Sequence, residues 1–197
     1  MNQGQLDLDD KVNSTLNTHQ GHLFSGYAAE TVPNLSRQGL WLVFVSASIC
    51  EDDISSELYG HLTSIGVDRA QGLADKIQKT LGERQPYILT STDVDAYQTA
   101  LTIADTLGVE PVQVPVFKTE GNYSLSEDAK PIVLDALSLR SQTTDTIILV
   151  GGRFSTADMA KYYLKHRDVK QTEFMHNRGD CVLVDAGTGV QKRIAYN

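Results

Sequence analysis

From Gly39 onward, short dense runs of apolar residues alternate along the chain with stretches of helical periodicity. The runs LWLVFV (40–45), PYILT (86–90) and TIILV (146–150) are nearly unbroken, which is typical of strands buried on both faces of a sheet. VQVPVF (112–117) predicts a shorter strand, and its proline predicts an edge position because proline cannot donate to a strand ladder.

Helical spacing of apolar residues separates these runs. Ala70, Leu73, Ala74 and Ile77 predict one helix, and residues 96–107 predict a second that Gly108 closes as a left-handed cap. Residues 131–139 and 155–165 predict two more. The closing segment CVLVDAGTGVQKRIAY (181–196) predicts a hairpin, since two alternating runs flank Gly-Thr-Gly. Strands and helices in this order predict an α/β domain.

The first 36 residues differ from the rest of the chain, being polar with only scattered apolar positions. We interpret residues 1–36 as an N-terminal extension and residues 37–197 as the α/β domain. Leu8, Val12 and Leu16 form a narrow stripe that predicts a short helix, which packs on its own domain or contacts a partner.

Composition narrows the classes of partner. The chain carries 17 Lys and Arg against 25 Asp and Glu, a net charge of −8, which disfavours nucleic acid and anionic membranes as partners. No apolar run approaches the roughly 20 residues that span a bilayer, and the start of the chain lacks a signal-peptide pattern. Cys50 and Cys181 lack metal-ligand spacing, so we expect reduced thiols, no metal and a cytoplasmic protein.

Four segments then occur in a recognisable order. They are LTSIGVDRAQGLADKI (62–77), ILTSTDVDAYQTALTIADTLGV (88–109), IILVGGRFSTADMAKYYL (147–164) and the closing hairpin. Together they resemble the histidine phosphatase, or phosphoglycerate mutase-like, superfamily, with its LTxxGxxQA, SSPLxRAxQTA and SHGG motifs. The resemblance covers about residues 40–197 and implies a three-layer α/β/α sandwich around a mainly parallel sheet.

The resemblance also implies where catalytic groups would lie: a nucleophilic histidine flanked by arginine and glycine, a second arginine and a second histidine. The matching positions and the residue just beyond them hold Ser46, Ala47, Ser48, Asp95, Gly152 and Arg153. Ala47 replaces the nucleophile, and alanine cannot attack phosphorus. Asp95 replaces the second arginine. An arginine about 4 Å from a phosphate charge attracts it by roughly 4 kcal/mol at an effective dielectric constant of about 20, whereas an aspartate there repels it.

These losses predict a pseudoenzyme with a regulatory, scaffolding or ligand-binding role, no cofactor, and a protein partner or small ligand; the oligomeric state stays open. We expect Arg153 to pair with Asp95 in the vacated site. One alternative is a phosphatase or phosphomutase with relocated catalytic groups, in which Arg153 or Arg140 binds phosphate.

A second alternative is a cation or small-molecule sensor, because acidic residues follow the predicted strands, where α/β proteins form their ligand crevice. They are Glu51, Asp52, Asp53, Asp93 and Glu120. Glu120 also lies near the expected place of the acid that protonates the leaving group, although its spacing after Phe117 is one residue off. The competing interpretation is that residues 51–53 form a solvated turn and cap the next helix.

Overall fold

The computed structural model describes residues 35–51, 60–117, 125–173, 175 and 177–195. Within these ranges the chain forms six strands and four helices. The strands are β1 Trp41–Ser46, β2 Tyr87–Thr90, β3 Pro111–Gln113, β4 Thr146–Gly151, β5 Cys181–Asp185 and β6 Gln191–Ile194. The helices are α1 Ser64–Leu81, α2 Val94–Leu107, α3 Ala129–Ser141 and α4 Arg153–His166.

The strands form one sheet in the order β3-β2-β4-β1-β5-β6. The β3–β2, β2–β4 and β4–β1 pairs are parallel, whereas β5 is antiparallel to both β1 and β6. The mainly parallel sheet and the closing hairpin are therefore confirmed. β3 is the predicted edge strand, but it ends at Gln113, and Pro115 lies in the turn that follows it.

Two apolar clusters cover the two faces of the sheet. Val43 and Val45 of β1 pack with α1 and α2, whereas Leu42 and Phe44 face the opposite way and pack with α3 and α4. Successive side chains of a strand point to opposite faces, so an unbroken apolar run is needed where both faces are covered. The structure confirms the three-layer α/β/α sandwich.

Local signals place the ends of the helices. Gly108 adopts the left-handed conformation at φ 67° and ψ 35°, as predicted, and ends α2. The Thr63 side chain accepts a hydrogen bond from Gly66 N and caps the start of α1.

The helix predicted over residues 8–19 lies outside the described residues. Leu35 is fully buried, and its carbonyl accepts a 2.8 Å hydrogen bond from the Tyr163 hydroxyl of α4. No helix in the described part of the chain is long and apolar enough to cross a membrane.

The topology brings the ends of several strands and the starts of several helices together, at the edge of the sheet where the parallel strands end. The parallel strands β1, β2 and β4 finish there, and α1, α2 and α4 begin there. β5 starts at the same edge because it runs antiparallel to β1, with Cys181 opposite Val45. We call residues 46–48, 91–95, 151–153 and 178 the strand-end site.

Candidate functional site

Hydrogen bonds to three other elements fix the position of the chain that follows β1. Ser46, Ala47 and Ser48 are fully buried. Ala47 N donates to the carbonyl of Gly151 at 2.8 Å, and Ser48 N donates to the Thr99 hydroxyl at 3.0 Å. The Ser48 hydroxyl donates to Gly66 O at 2.7 Å. These contacts tie the end of β1 to β4, α2 and α1, and they turn the Ser48 hydroxyl inward.

The first turn of α1 is in close contact with the chain that follows β1. A Cβ atom added to Gly66 would lie 1.9 Å from the carbonyl oxygen of Ile49. Thr63 N donates to that same carbonyl at 3.1 Å. Only glycine permits this approach, which explains the glycine of the LTSIGVDRAQ segment on packing grounds.

A tight turn before β5 reaches the same place from the other side of β1. Gly179, at φ +80°, donates its N–H to the carbonyls of Ala47 at 3.0 Å and Ser46 at 3.2 Å. Asp180 carbonyl accepts from Ser46 N at 2.9 Å, and its side chain accepts from Asn177 N at 3.0 Å. The turn is therefore fixed against the end of β1.

An ion pair between β6 and Asp180 also stabilises this turn. Arg193 Nη2 of β6 lies 2.6 Å from Asp180 Oδ2, and the Asp180 side chain is only 1% exposed. A buried carboxylate needs such a partner, because dehydrating an unpaired charge is costly. Arg193 thus stabilises the turn before β5, which also carries Arg178.

Arg178 projects from this turn into the strand-end site. Its Nη1 lies 3.0 Å from Asp95 Oδ2 and 3.0 Å from Cys50 Sγ, and donates to Ser48 O at 3.4 Å. The side chains of Arg178 and Asp95 are 36% and 15% exposed. A guanidinium group therefore does lie in the site, but it comes from a segment far from the positions that the resemblance implies.

The electrostatics of Asp95 show two opposing effects. Burial raises the pKa of this carboxyl above its ordinary value, while the charge of Arg178 and the 2.8 Å hydrogen bond from Ala96 N lower it. The nearby charge of Asp93 raises it further, and the net direction is upward. Dehydration of the carboxylate thus outweighs its pairing with Arg178.

The predicted pairing of Asp95 with Arg153 is wrong. Arg153 is exposed at the first turn of α4, with its guanidinium carbon 5.2 Å from the centroid of the Phe154 ring. Gly152 caps that helix and provides no side chain. The physical reason is the layer arrangement: α4 packs on one face of the sheet and α2, which carries Asp95, on the other.

Arg140, the other arginine considered for phosphate binding, lies away from the site. It is fully buried near the end of α3, with its guanidinium carbon 4.1 Å from the centroid of the Tyr87 ring. Tyr87 is the first residue of β2, whereas the site lies beyond the last residue of that strand. Arg140 thus belongs to the opposite edge of the sheet.

The predicted acidic group is only partly within the described residues. Asp93 accepts a 2.8 Å hydrogen bond from the Ser91 hydroxyl at the start of α2, and Glu51 N donates to the carbonyl of His61 at 2.7 Å. Asp52, Asp53 and Glu120 lie outside the described residues. In the described ranges, no three His, Cys, Asp or Glu side chains are grouped so as to hold a metal ion.

The residues that sequence reasoning missed are Arg178, Gly179, Asp180 and Arg193. Gly-Asp directly before a buried strand indicates a turn, and an aspartate in place of an expected cation calls for a positive partner. Those signals do not say which arginine is involved. The antiparallel pairing of β5 with β1 supplies that information, because it places the start of β5 beside the end of β1.

Several solved phosphatase structures have a similar fold. One is the protein histidine phosphatase SixA complexed with tungstate, with a TM-score of 0.55 at 16% identity over 79% of this chain and 95% of that chain. A protein provisionally named phosphohistidine phosphatase SixA, from Nakamurella multipartitia, gives a TM-score of 0.55 at 13% identity over 79% of this chain and 94% of that chain.

A third is a mycobacterial glucosyl-3-phosphoglycerate phosphatase complexed with VO3, with a TM-score of 0.51 at 15% identity over 80% of this chain and 99% of that chain. No protein family model and no curated protein sequence matches the chain. The structural neighbours confirm the resemblance to the histidine phosphatase superfamily at the level of the fold.

Proposed function

We propose that this chain is a catalytically inactive protein with a histidine phosphatase fold, and that its strand-end site serves a regulatory, scaffolding or ligand-binding role. One observation carries the proposal. Where the resemblance implies a nucleophile and a cation, the chain has the buried methyl group of Ala47 and the carboxylate of Asp95, which is paired with Arg178.

The two serines that flank Ala47 in the chain do not replace the missing nucleophile. Ser48 donates its hydroxyl to the carbonyl of Gly66, and the Ser46 hydroxyl has the carbonyl of Ala47 at 3.4 Å. A serine becomes nucleophilic when an adjacent base accepts its proton, and a backbone carbonyl is no such base. Both side chains are fully buried as well, which keeps them from a substrate.

The charge distribution supports the same proposal. A phosphoryl group in the site would meet the Asp95 carboxylate, and the Arg178 charge that favours an anion is already paired with that carboxylate. Electrostatic stabilisation of developing negative charge is commonly the largest contribution to catalysis. The neighbouring structures named for their tungstate and VO3 complexes bind such oxyanions; we propose that this chain departs from them in this respect.

The test is an activity assay of the full chain on p-nitrophenyl phosphate, 3-phosphoglycerate and a phosphohistidine peptide. We expect no turnover above a buffer control. Turnover that is lost in Arg178→Ala or Arg153→Ala, but kept in Arg84→Ala, would overturn the proposal and favour a phosphatase with relocated groups. Arg84 is a matched control because it lies near the opposite edge of the sheet, where it donates to the carbonyl of Gly39 at 2.9 Å.

The proposed partner is a protein or a small ligand rather than nucleic acid or a membrane, because the chain has a net charge of −8. The cytoplasmic location stays a prediction from composition and from the two free cysteines.

A further inference from the structure

We propose that Asp95 acts as an internal ligand of Arg178, so that the strand-end site is a latent oxyanion-binding site that its own carboxylate occupies. This inference rests on the proposed function and deepens it by naming the ligand class. The external ligand would carry a phosphate or a carboxylate group, and it would bind when the Asp95 charge is removed.

The position of Arg178 does not depend on Asp95 alone. Its Nη1 also contacts the Ser48 carbonyl and Cys50 Sγ. The turn that carries it is held by the N–H of Gly179 and by the Asp180–Arg193 ion pair. The guanidinium group should therefore stay in the site when the Asp95 carboxylate is removed.

Solvent access favours Arg178 as the group that an incoming anion meets. Its side chain is 36% exposed, whereas the Asp95 side chain is 15% exposed. A guanidinium group binds carboxylate and phosphate oxygens in the same geometry, which makes a carboxylate a good internal substitute for a phosphate.

Asp95 also masks a second source of positive potential. It lies in the first turn of α2, a helix of 14 residues, where the backbone N–H groups favour negative charge. Its Oδ1 accepts the N–H of Ala96 at 2.8 Å. Removing this carboxylate therefore unmasks Arg178 and the start of α2 together, at an edge of the sheet where α/β proteins bind ligands.

The wild-type chain should bind external anions poorly for two reasons. The tethered carboxylate competes at an effective concentration that millimolar solutes do not exceed, and its charge repels a second anion. Neither effect operates once the residue is neutral. The affinity for an external anion should therefore differ between the wild type and a variant in which residue 95 is neutral.

The experiment is calorimetric titration of the full chain at neutral pH and low ionic strength, with inorganic phosphate and, separately, with acetate. The variants are Asp95→Asn, Asp95→Ala and the double variant Asp95→Asn with Arg178→Gln. Asp105→Asn is the matched control, because Asp105 is exposed on the same helix and the substitution makes the same change in net charge.

We expect Asp95→Asn to bind phosphate or acetate at least about tenfold more tightly than the wild type, and Asp105→Asn to behave like the wild type. The double variant should lose the gain. Enhancement with either anion supports the proposal, and the ratio of the two affinities distinguishes phosphate from carboxylate ligands. Unchanged affinity in both Asp95 variants, with their native circular dichroism retained, would overturn it, as would a gain that survives in the double variant.

Failure of this inference differs from failure of the proposed function. Binding without hydrolysis of p-nitrophenyl phosphate supports both. Absence of binding together with absence of turnover removes only the internal-ligand inference. Hydrolysis by the wild type that is lost in Arg178→Ala contradicts the proposed inactivity, whatever the titrations show.

Discussion

The guanidinium group of Arg178 lies 3.0 Å from the carboxylate of Asp95, although the two residues are 83 positions apart in the chain. Asp95 lies in the first turn of α2, and Arg178 lies in the turn that leads into β5. Their contact joins the start of the β5–β6 hairpin to α2, the helix that follows β2. Both the pH dependence and the ligand chemistry of the strand-end site follow from this pair.

The first prediction concerns pH. Burial raises the pKa of Asp95 above 3.8, so between that value and the raised pKa the folded state holds a proton that the unfolded state releases. The free energy of unfolding contributed by Asp95 should therefore fall as pH rises through this window. Chemical denaturation of wild type and Asp95→Asn from about pH 3 to about pH 7 measures it, because the difference between the two curves isolates this group.

In that comparison, Asp95→Asn should gain stability relative to the wild type as pH increases. A difference of the opposite sign would mean that pairing with Arg178 outweighs the dehydration of the carboxylate. Asp105→Asn, exposed on the same helix, controls for the change in net charge.

The second prediction concerns the support of the Arg178 turn. Arg193→Ala removes the guanidinium from Asp180, which is 1% exposed, and we expect a loss of about 3 to 5 kcal/mol in the free energy of unfolding. Adding Asp180→Asn should recover part of that loss, because a neutral amide needs no cation. Urea denaturation of the single and double variants measures both effects.

An exposed ion pair provides the matched control. Arg84 and Asp145 are 3.4 Å apart, with side chains 37% and 51% exposed, so Arg84→Ala should cost less than about 1 kcal/mol. Equal losses in Arg84→Ala and Arg193→Ala would contradict the buried role of Arg193.

The third prediction concerns the start of α1. Gly66→Ala would place a methyl group 1.9 Å from the Ile49 carbonyl oxygen, so the backbone must shift. We expect a loss of about 1 to 3 kcal/mol in the free energy of unfolding, typical of overpacking. Lys79→Ala, at an exposed position further along the same helix, is the control, and there we expect a change within about 0.5 kcal/mol. A gain in stability for Gly66→Ala would contradict the close contact between Gly66 and Ile49.

The fourth prediction concerns Cys181. Burial raises the pKa of this thiol to about 12, so it stays protonated at neutral pH, and alkylation needs the thiolate. Iodoacetamide should leave Cys181 unmodified in the folded protein and modify it after denaturation in urea, as measured by peptide mass spectrometry. Similar rates in the two states would contradict the burial of this side chain.

Much of the fold follows from local patterns. Unbroken apolar runs marked the central strands, helical spacing marked the four helices, and Gly108 ended α2 where a left-handed cap was predicted. These features depend on neighbours within a few residues, which periodicity reports directly. Strand ends were less predictable: β3 stops at Gln113 because Pro115 turns the chain away from the sheet.

The sequence by itself determined the fold class and the presence of alanine, aspartate and glycine at positions 47, 95 and 152, because residue identity needs no tertiary structure. Tertiary structure alone decided which cation meets Asp95. Arg153 follows a strand that ends at the site, but its helix packs on the far face of the sheet, whereas Arg178 arrives because β5 runs antiparallel beside β1. Which face a helix covers and which strands pair are set by burying both faces of the sheet at once, and no local pattern along the chain contains that information.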